Sequence, residues 1–155
     1  MIVLFTVSLG IVGDSVAARD PQTYNLKWKT NLSKIKTVPA FSSATSLLYV
    51  ATEENLYALN ITNGAVQWSS PIDTPVPTYI LLQNDLVILS TYNFIDSHII
   101  AFYDDYQPKL AMNITMQDVC LEMVGSPNNI LFTLVSDTLT SFTLSALNLT
   151  NGEFM

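Results

Sequence analysis

The residues of this sequence that could do chemistry are two acidic pairs, one histidine and one cysteine. The pairs Glu53-Glu54 and Asp104-Asp105 could lie near a cation, but both fall in or beside predicted turns, where charged side chains are ordinarily solvated. His98 is the single histidine, so histidine-based zinc sites and catalytic relays lack partners. We therefore predict no catalytic, cofactor-binding or metal-binding residue.

Cys120 is the single cysteine, which excludes an internal disulfide and a C-x-x-C site. Its setting, VCLEMV, favours a small buried residue. The alternative is a disulfide with a missing segment or another chain. No G-x-S-x-G motif or glycine-rich phosphate loop occurs among the five glycines.

The composition is that of a packed fold. The 155 residues are 49% hydrophobic and 12% charged, which excludes intrinsic disorder. Six Lys and Arg residues stand against thirteen Asp and Glu residues, so nucleic acid is not expected as a partner. Five of the six cations precede residue 37: Arg19, Lys27, Lys29, Lys34 and Lys36.

The first eighteen residues resemble a secretory signal peptide. The apolar run MIVLFTVSLGIV is too short to span a membrane, which takes about 20 residues. Val16-Ala17-Ala18 then supplies small residues that predict cleavage after Ala17 or Ala18. The alternative is that this stretch is a buried N-terminal strand.

A repeat runs through the chain. ALNITNG begins at Ala58 and ALNLTNG at Ala146, with six identities in seven positions, 88 residues apart. A degenerate copy, IIAFYDDYQP, lies midway, which gives a period of about 44 residues. Each copy follows strand-like runs, and Asn-Gly at 63–64 and 151–152 is typical of hairpin turns. The pattern predicts an all-β chain with four short strands per unit, the content of one β-propeller blade.

The repeat resembles the A-x-D-x-x-x-G-x-x-x-W signature of PQQ-like (quinoprotein-type) propellers, with Asn at the Asp position. The resemblance implies that Asn accepts hydrogen bonds from turn amides, Gly permits the turn and Trp docks on the neighbouring blade. In the second unit Met112 takes the Trp position. The residues that carry the motif are Ala58, Asn60, Gly64 and Trp68, then Ala146, Asn148 and Gly152, with Trp28 as an earlier copy of the Trp strand.

With a leader at 1–18, the remaining residues 19–155 predict about three blades, at roughly 27–72, 73–116 and 117–155. Propellers close with four to eight blades, so an incomplete ring is expected. Either further blades of a longer protein complete it, or two or more copies associate.

The order of leader, Trp28 strand and VATEENLYALN is similar to the lumenal N-terminal propeller in the family of largest subunits of the ER membrane protein complex. That resemblance implies a non-catalytic scaffold in the ER lumen, with other protein subunits as partners and membrane contact only through the larger complex. The alternative is an N-terminal fragment of an exported, periplasmic or secreted dehydrogenase that uses PQQ with calcium.

Four N-x-[ST] sequons agree with a secretory route. They lie at Asn31, Asn60, Asn113 and Asn148. Because Asn60 and Asn148 are also turn-capping positions of the repeat, we expect Asn31 and Asn113 to be the preferred glycan acceptors.

Overall fold

A computed structural model describes residues 8–11, 13–73, 76–93, 96–117, 119–138 and 141–155. Within these ranges the regular structure is entirely β, in fifteen strands. The described residues contain no helix long and apolar enough to cross a membrane.

The strands form four antiparallel sheets in chain order. The first sheet contains β1 (Ser8–Ile11), β2 (Ser15–Arg19) and β3 (Leu26–Asn31). The second contains β4 (Ala40–Phe41), β5 (Leu47–Ala51), β6 (Asn55–Asn60) and β7 (Val66–Pro71). The third contains β8 (Val76–Gln83), β9 (Leu86–Tyr92), β10 (Ser97–Tyr103) and β11 (Leu110–Met116). The fourth contains β12 (Val119–Ser126), β13 (Ile130–Thr138), β14 (Ser141–Asn148) and β15 (Glu153–Phe154).

The sheets lie face to face, and the core consists of three apolar clusters between consecutive sheets. Every residue of β5 is buried, because Leu48 and Val50 pack towards the first sheet while Leu47 and Tyr49 pack towards the third. A strand covered on both faces needs apolar residues at successive positions instead of the alternation of a half-exposed strand. The near-continuous apolar runs of the sequence therefore belong to the middle strands of stacked sheets.

The structure differs from the predicted blade boundaries at the N-terminal end. The described residues form four sheets where the sequence predicts about three blades, and β3, which carries Trp28, belongs to a different sheet from β4–β7. The predicted leader overlaps β1 and β2, whose residues Val16 and Ala18 are fully buried in the cluster with Trp28 and Leu48. Residues 1–7 and 12 of that leader lie outside the described residues.

Candidate functional site

The contacts that join the sheets centre on two tryptophans. Trp28, on the last strand of the first sheet, donates its indole Nε1–H to the carbonyl oxygen of Ile61 at 2.7 Å, in the turn of the second sheet. Thr30 Oγ1 donates to the Gly64 carbonyl at 2.6 Å in the same turn. Gly64 has φ +72°, and a Cβ there would lie 2.4 Å from Trp28 Cε3. The indole therefore lies directly against the glycine backbone.

Trp68 repeats this arrangement one sheet further on. Its Nε1–H donates to the carbonyl oxygen of Asp105 at 2.9 Å, in the corresponding turn of the third sheet. Its ring lies in tilted contact with Tyr49 and Phe102, with centroids 5.8 and 6.1 Å away. Each tryptophan thus combines buried aromatic area with a hydrogen bond to the next sheet.

The strand pairs behind these tryptophans are built alike. Ala18 lies opposite Trp28, Ala58 opposite Trp68, and Ala101 opposite Met112. The register shifts immediately after each of the three alanines. All three alanines are fully buried, so a larger side chain would collide with the neighbouring sheet.

The asparagines of the motif cap the turns. Asn60 Oδ1 accepts the backbone N–H of Thr62 at 2.8 Å, and Asn148 Oδ1 accepts that of Thr150 at 2.8 Å. In both turns the glycine N–H donates to the asparagine carbonyl at 2.8 Å, as Gly64 to Asn60 and Gly152 to Asn148. Ala146 lies two residues before Asn148 in β14, as Ala58 lies two residues before Asn60 in β6, and its carbonyl oxygen accepts the N–H of Met155.

The sequence prediction missed a further copy of this turn. Asp20 Oδ1 accepts the N–H groups of Gln22 and Thr23, and the Tyr24 N–H donates to the Asp20 carbonyl at 2.8 Å. These bonds lower the pKa of the Asp20 carboxyl, the Thr23 amide most strongly. Tyr24 has φ +57°, the conformation that glycine takes at 64 and 152.

The sequence does contain a signal for this turn. Ala18, Asp20, Tyr24 and Trp28 have the same spacing as Ala58, Asn60, Gly64 and Trp68, with tyrosine in the position of the glycine. Val16 and Ala18 are buried residues of this blade, so their small size has a packing reason. A leader that ends at Ala17 or Ala18 would remove β1 and most of β2. In the structure, residues 15–19 form β2, and Val16 and Ala18 pack in the cluster with Trp28.

The third junction has no tryptophan. Met112 stands at that position, and the nearest side-chain atom to a Cβ placed on Gly152 is Ile114 Cδ1 at 3.3 Å. A cleft of about 300 Å³ lies beside Met112, lined also by Tyr103, Leu149 and Gly152. This cleft occupies the place where the indole would dock.

Asp104 is a structural acceptor between the second and third sheets. Its carboxylate accepts the hydroxyls of Ser42, of Thr45 at 2.7 Å and of Tyr49 at 2.6 Å. Burial, and then the bond to Asp104, raise the pKa of the Tyr49 phenol well above its ordinary value. Asp105, its neighbour, contributes the carbonyl that binds Trp68.

The other acidic pair lies on the surface. Glu53 pairs with Lys34 at 2.6 Å and with Lys36 at 2.8 Å, tying the segment between the first two sheets to the β5–β6 turn. The bond from Lys34, and then that from Lys36, lower the pKa of the Glu53 carboxyl. Glu54 contributes its carbonyl oxygen to the Ile72 N–H.

His98 and Cys120 lie apart from these carboxylates in the fold. His98 Nδ1 lies 3.2 Å from Thr115 Oγ1 on the paired strand. Cys120 is a buried free thiol whose pKa is raised by burial. Within the described parts of the chain, no group of three or more His, Cys, Asp or Glu side chains could hold a metal ion.

Two of the four sequons are exposed. Asn31 and Asn113 lie on the outermost strands of the first and third sheets with exposed side chains, whereas Asn60 and Asn148 are half-buried in their turns. Asn31 Oδ1 also accepts the Ser15 hydroxyl at 2.9 Å.

Comparison with known proteins identifies the fold. No known protein-family profile and no curated protein sequence matches the chain. Among solved structures, 96% of the chain matches 48% of the computationally designed protein Ika8, with a TM-score of 0.70 and 14% identity. BamB from Moraxella catarrhalis matches 97% of the chain over 48% of its own length, with a TM-score of 0.69 and 15% identity.

The dihydro-heme d1 dehydrogenase NirN matches 95% of the chain over 32% of its own length, with a TM-score of 0.73 and 14% identity. BamB and NirN are β-propellers of the PQQ-like type. The chain therefore has the all-β fold of propeller blades, as the sequence predicts. It spans about half the length of Ika8 and BamB and a third of that of NirN.

Proposed function

We propose that this chain is a non-catalytic interaction module of the β-propeller type that works in the secretory lumen, in the manner of the largest subunits of the ER membrane protein complex. A non-catalytic role is supported by the contacts that the carboxylates of the two acidic pairs make. One carboxylate of each acidic pair, that of Asp104 and that of Glu53, is engaged in contacts that join different parts of the fold.

Asp104 illustrates the point. Three hydroxyl donors from the second sheet surround its carboxylate, and the phenol among them is fully buried. A carboxylate that already accepts three hydroxyl donors has most of its lone-pair sites occupied, which makes it a poor ligand for an added cation. Glu53 is likewise engaged by two lysines. These groups stabilise the surface that the module presents.

The competing proposal is an exported dehydrogenase that uses PQQ with calcium, and the name of NirN includes a dehydrogenase activity. Thermal unfolding with saturating PQQ and calcium distinguishes the two. A ligand at a hundred times its Kd stabilises the folded state by about 2.7 kcal/mol. We expect no rise in Tm, and a rise of several degrees that needs both ligands would favour the dehydrogenase.

The lumenal compartment in this proposal is supported by the exposed sequons Asn31 and Asn113. We expect a mobility shift on glycosidase treatment of the chain made in eukaryotic cells, and its loss in the Asn31→Gln, Asn113→Gln double variant. Asn60→Gln, Asn148→Gln is the matched control. An unchanged mobility in the wild type would remove the compartment from the proposal.

The expected partners are other protein subunits. Affinity purification of the tagged chain from ER membranes, followed by mass spectrometry, should recover subunits of the ER membrane protein complex. Recovery of a different stable assembly, or of none, would contradict the specific resemblance and leave the propeller fold unaffected.

A further inference from the structure

The junction between the third and fourth sheets has a turn built to receive an indole, but both tryptophans of the chain dock at other junctions. The turn from Asn148 to Gly152 has the hydrogen bonds of the turn from Asn60 to Gly64, and its glycine has φ +75° against +72°. Leu149 takes the place of Ile61, whose carbonyl oxygen accepts the indole N–H of Trp28. The receiving half of a tryptophan junction is therefore present here.

Met112, which takes the tryptophan position at this junction, leaves the turn open. In the first junction, Trp28 Cε3 lies 2.4 Å from a Cβ placed on Gly64. Of the described residues other than its chain neighbours, only Ile114 comes within 4 Å of a Cβ placed on Gly152. The Met112 side chain thus does not cover the glycine backbone, and a cleft of about 300 Å³ remains beside it.

The cleft lies inside the stack, between two neighbouring sheets of the same chain. Its third-sheet wall includes Leu86, Tyr103 and Met112, and its fourth-sheet wall includes residues 149–152. Because both walls already belong to adjacent sheets, a further sheet cannot stack between them. An occupant has to be small enough to enter from solvent, where the lining residue Asp85 is exposed. One inserted side chain meets that condition.

The two filled junctions show which side chain this kind of site accepts. Trp28 and Trp68 each donate their indole N–H to a carbonyl oxygen of the next sheet's turn, at 2.7 and 2.9 Å. The ring of Trp68 also lies against two other aromatic rings, and the open cleft contains the ring of Tyr103. Tryptophan is the side chain that combines a large apolar ring with a single N–H donor. An indole therefore suits the open cleft as well.

The charge of this half of the chain favours a cationic partner segment. Residues 76–155, which contain the third and fourth sheets, carry eight carboxylates and one cation, a net charge of −7. The cation, Lys109, is held over the Tyr103 ring with its Nζ 4.6 Å from the centroid. Asp85 belongs to the lining of the cleft itself. Because opposite charges steer association and like charges suppress it, a tryptophan flanked by Lys or Arg is the favoured occupant.

We propose that the cleft between the third and fourth sheets binds the side chain of a tryptophan that a partner protein presents in a basic segment. The indole lies beside Met112 on the backbone of Gly152 and donates its N–H to the turn at the Leu149 carbonyl. The inference rests on the proposed role as an interaction module and names the chemistry of one partner. A failure of tryptophan peptides to bind would remove this inference and leave the glycosylation and affinity tests of that role unaffected.

The test is NMR titration of the full 155-residue chain, labelled with carbon-13 in its methionine methyl groups, with the peptide acetyl-Lys-Trp-Lys-amide. The ring current of a bound indole changes the chemical shift of a methyl group beside it. The methyl signal of Met112, assigned with Met112→Leu, should therefore move, whereas that of the buried Met123 should not. We expect a Kd of about 1 mM or lower, the range for a single inserted side chain. Acetyl-Lys-Leu-Lys-amide is the matched control peptide and should leave the Met112 signal in place.

Variants are titrated with the same peptide carrying 5-fluorotryptophan, whose fluorine signal is distinct from the chain's own tryptophans. Met112→Trp fills the cleft with an indole of the chain and should abolish binding. Leu110→Trp is the matched control, because Leu110 is 55% exposed on the same strand, and it should bind as the wild type does. Thr150→Arg tests the site even if Met112→Trp does not fold. It places a cation in the lining, keeps the backbone N–H that Asn148 accepts, and should weaken binding about tenfold.

Three results would overturn the proposal. The first is a Met112 methyl signal that the tryptophan peptide does not move, or that the leucine peptide moves equally. The second is wild-type affinity in Met112→Trp or in Thr150→Arg. The third is an equal Kd for acetyl-Glu-Trp-Glu-amide, which would remove the basic segment from the proposed partner.

Discussion

The docking of Trp28 on Gly64 gives the sharpest prediction for a single substitution. Gly64→Ala adds a methyl group at φ +72°, where the left-handed backbone costs an L-residue about 1 to 2 kcal/mol. The new Cβ would also lie 2.4 Å from Trp28 Cε3 and 2.7 Å from Thr30 Oγ1. Because Trp28 is part of the buried core, the indole must shift to accommodate it.

The shift of the indole adds a second cost. It would weaken the hydrogen bond from Trp28 Nε1 to the Ile61 carbonyl, which is worth about 1 kcal/mol. The van der Waals contacts of the ring would lose about 1 kcal/mol as well. Together with the backbone term, we expect Gly64→Ala to lower the free energy of unfolding by about 3 kcal/mol.

Gly152→Ala is the matched control. Its φ of +75° imposes the same backbone cost, but the nearest atom is Ile114 Cδ1 at 3.3 Å, at the end of a flexible side chain. We expect a loss of about 1 kcal/mol, so the two variants should differ by about 2 kcal/mol. For a chain of this size that difference corresponds to about 4 to 8 °C in Tm.

The assay is urea unfolding followed by circular dichroism and tryptophan fluorescence. In a Trp28→Leu background, the cost of Gly64→Ala should fall towards that of Gly152→Ala, because the partner of the clash is gone. Equal losses for the two glycine variants, or an unchanged cost of Gly64→Ala in that background, would refute the docking of Trp28 on the turn.

Three further predictions concern the other junctions. Met112→Trp should fill the cleft beside Gly152 and raise Tm by about 2 to 4 °C, the effect of about 1 kcal/mol; a lower Tm would show that the cleft is too small for an indole. Tyr49→Phe leaves the Asp104 carboxylate with two hydroxyl donors and should cost about 1 kcal/mol at pH 7, by urea unfolding. The pKa of the folded-state phenol is raised above its ordinary value of 10.0, so the unfolded chain loses this proton first and wild-type stability falls as pH rises above that value. In the Tyr49→Phe variant, the free energy of unfolding should fall less steeply above that pH. Identical pH profiles of the free energy of unfolding for wild type and variant would contradict the burial of the Tyr49 phenol. Removal of residues 1–18 takes away β1 and most of β2, and should lower Tm and shift tryptophan emission to the red as Trp28 becomes exposed; an unchanged Tm would show that the first sheet is not part of the folded unit.

The sequence was sufficient to predict the blade type, because the turn chemistry is local. Asn60 and Gly64 make their hydrogen bonds within one turn. Their spacing to Trp68 predicts the hairpin in which β7 pairs with β6. The same logic missed the turn from Asp20 to Tyr24, since tyrosine replaces glycine in the left-handed position and the small residues before it resemble a cleavage site. The structure reveals this turn as a copy of the motif, because Ala18 pairs with Trp28 in the same register as Ala58 with Trp68.

The Asp104 cluster lay beyond sequence reasoning. Its donors Ser42, Thr45 and Tyr49 precede it by 62, 59 and 55 residues and come from another sheet. Nothing in the local pattern of Asp104-Asp105 shows that a neighbouring blade will supply three hydroxyls. Such contacts depend on how the sheets stack, which the repeat period alone does not give.

The central claim is that the chain is a stack of four blade sheets whose first member includes residues 15–31. Hydrogen exchange of the intact chain, resolved by peptide mass spectrometry, tests it most directly. We expect the amides of β2 to be protected at least about a thousandfold, like those of the buried strands β5 and β9, because β2 is hydrogen-bonded between two strands and covered by the second sheet. Exchange of the β2 amides at the rate of an unfolded peptide, while β5 and β9 remain protected, would contradict it.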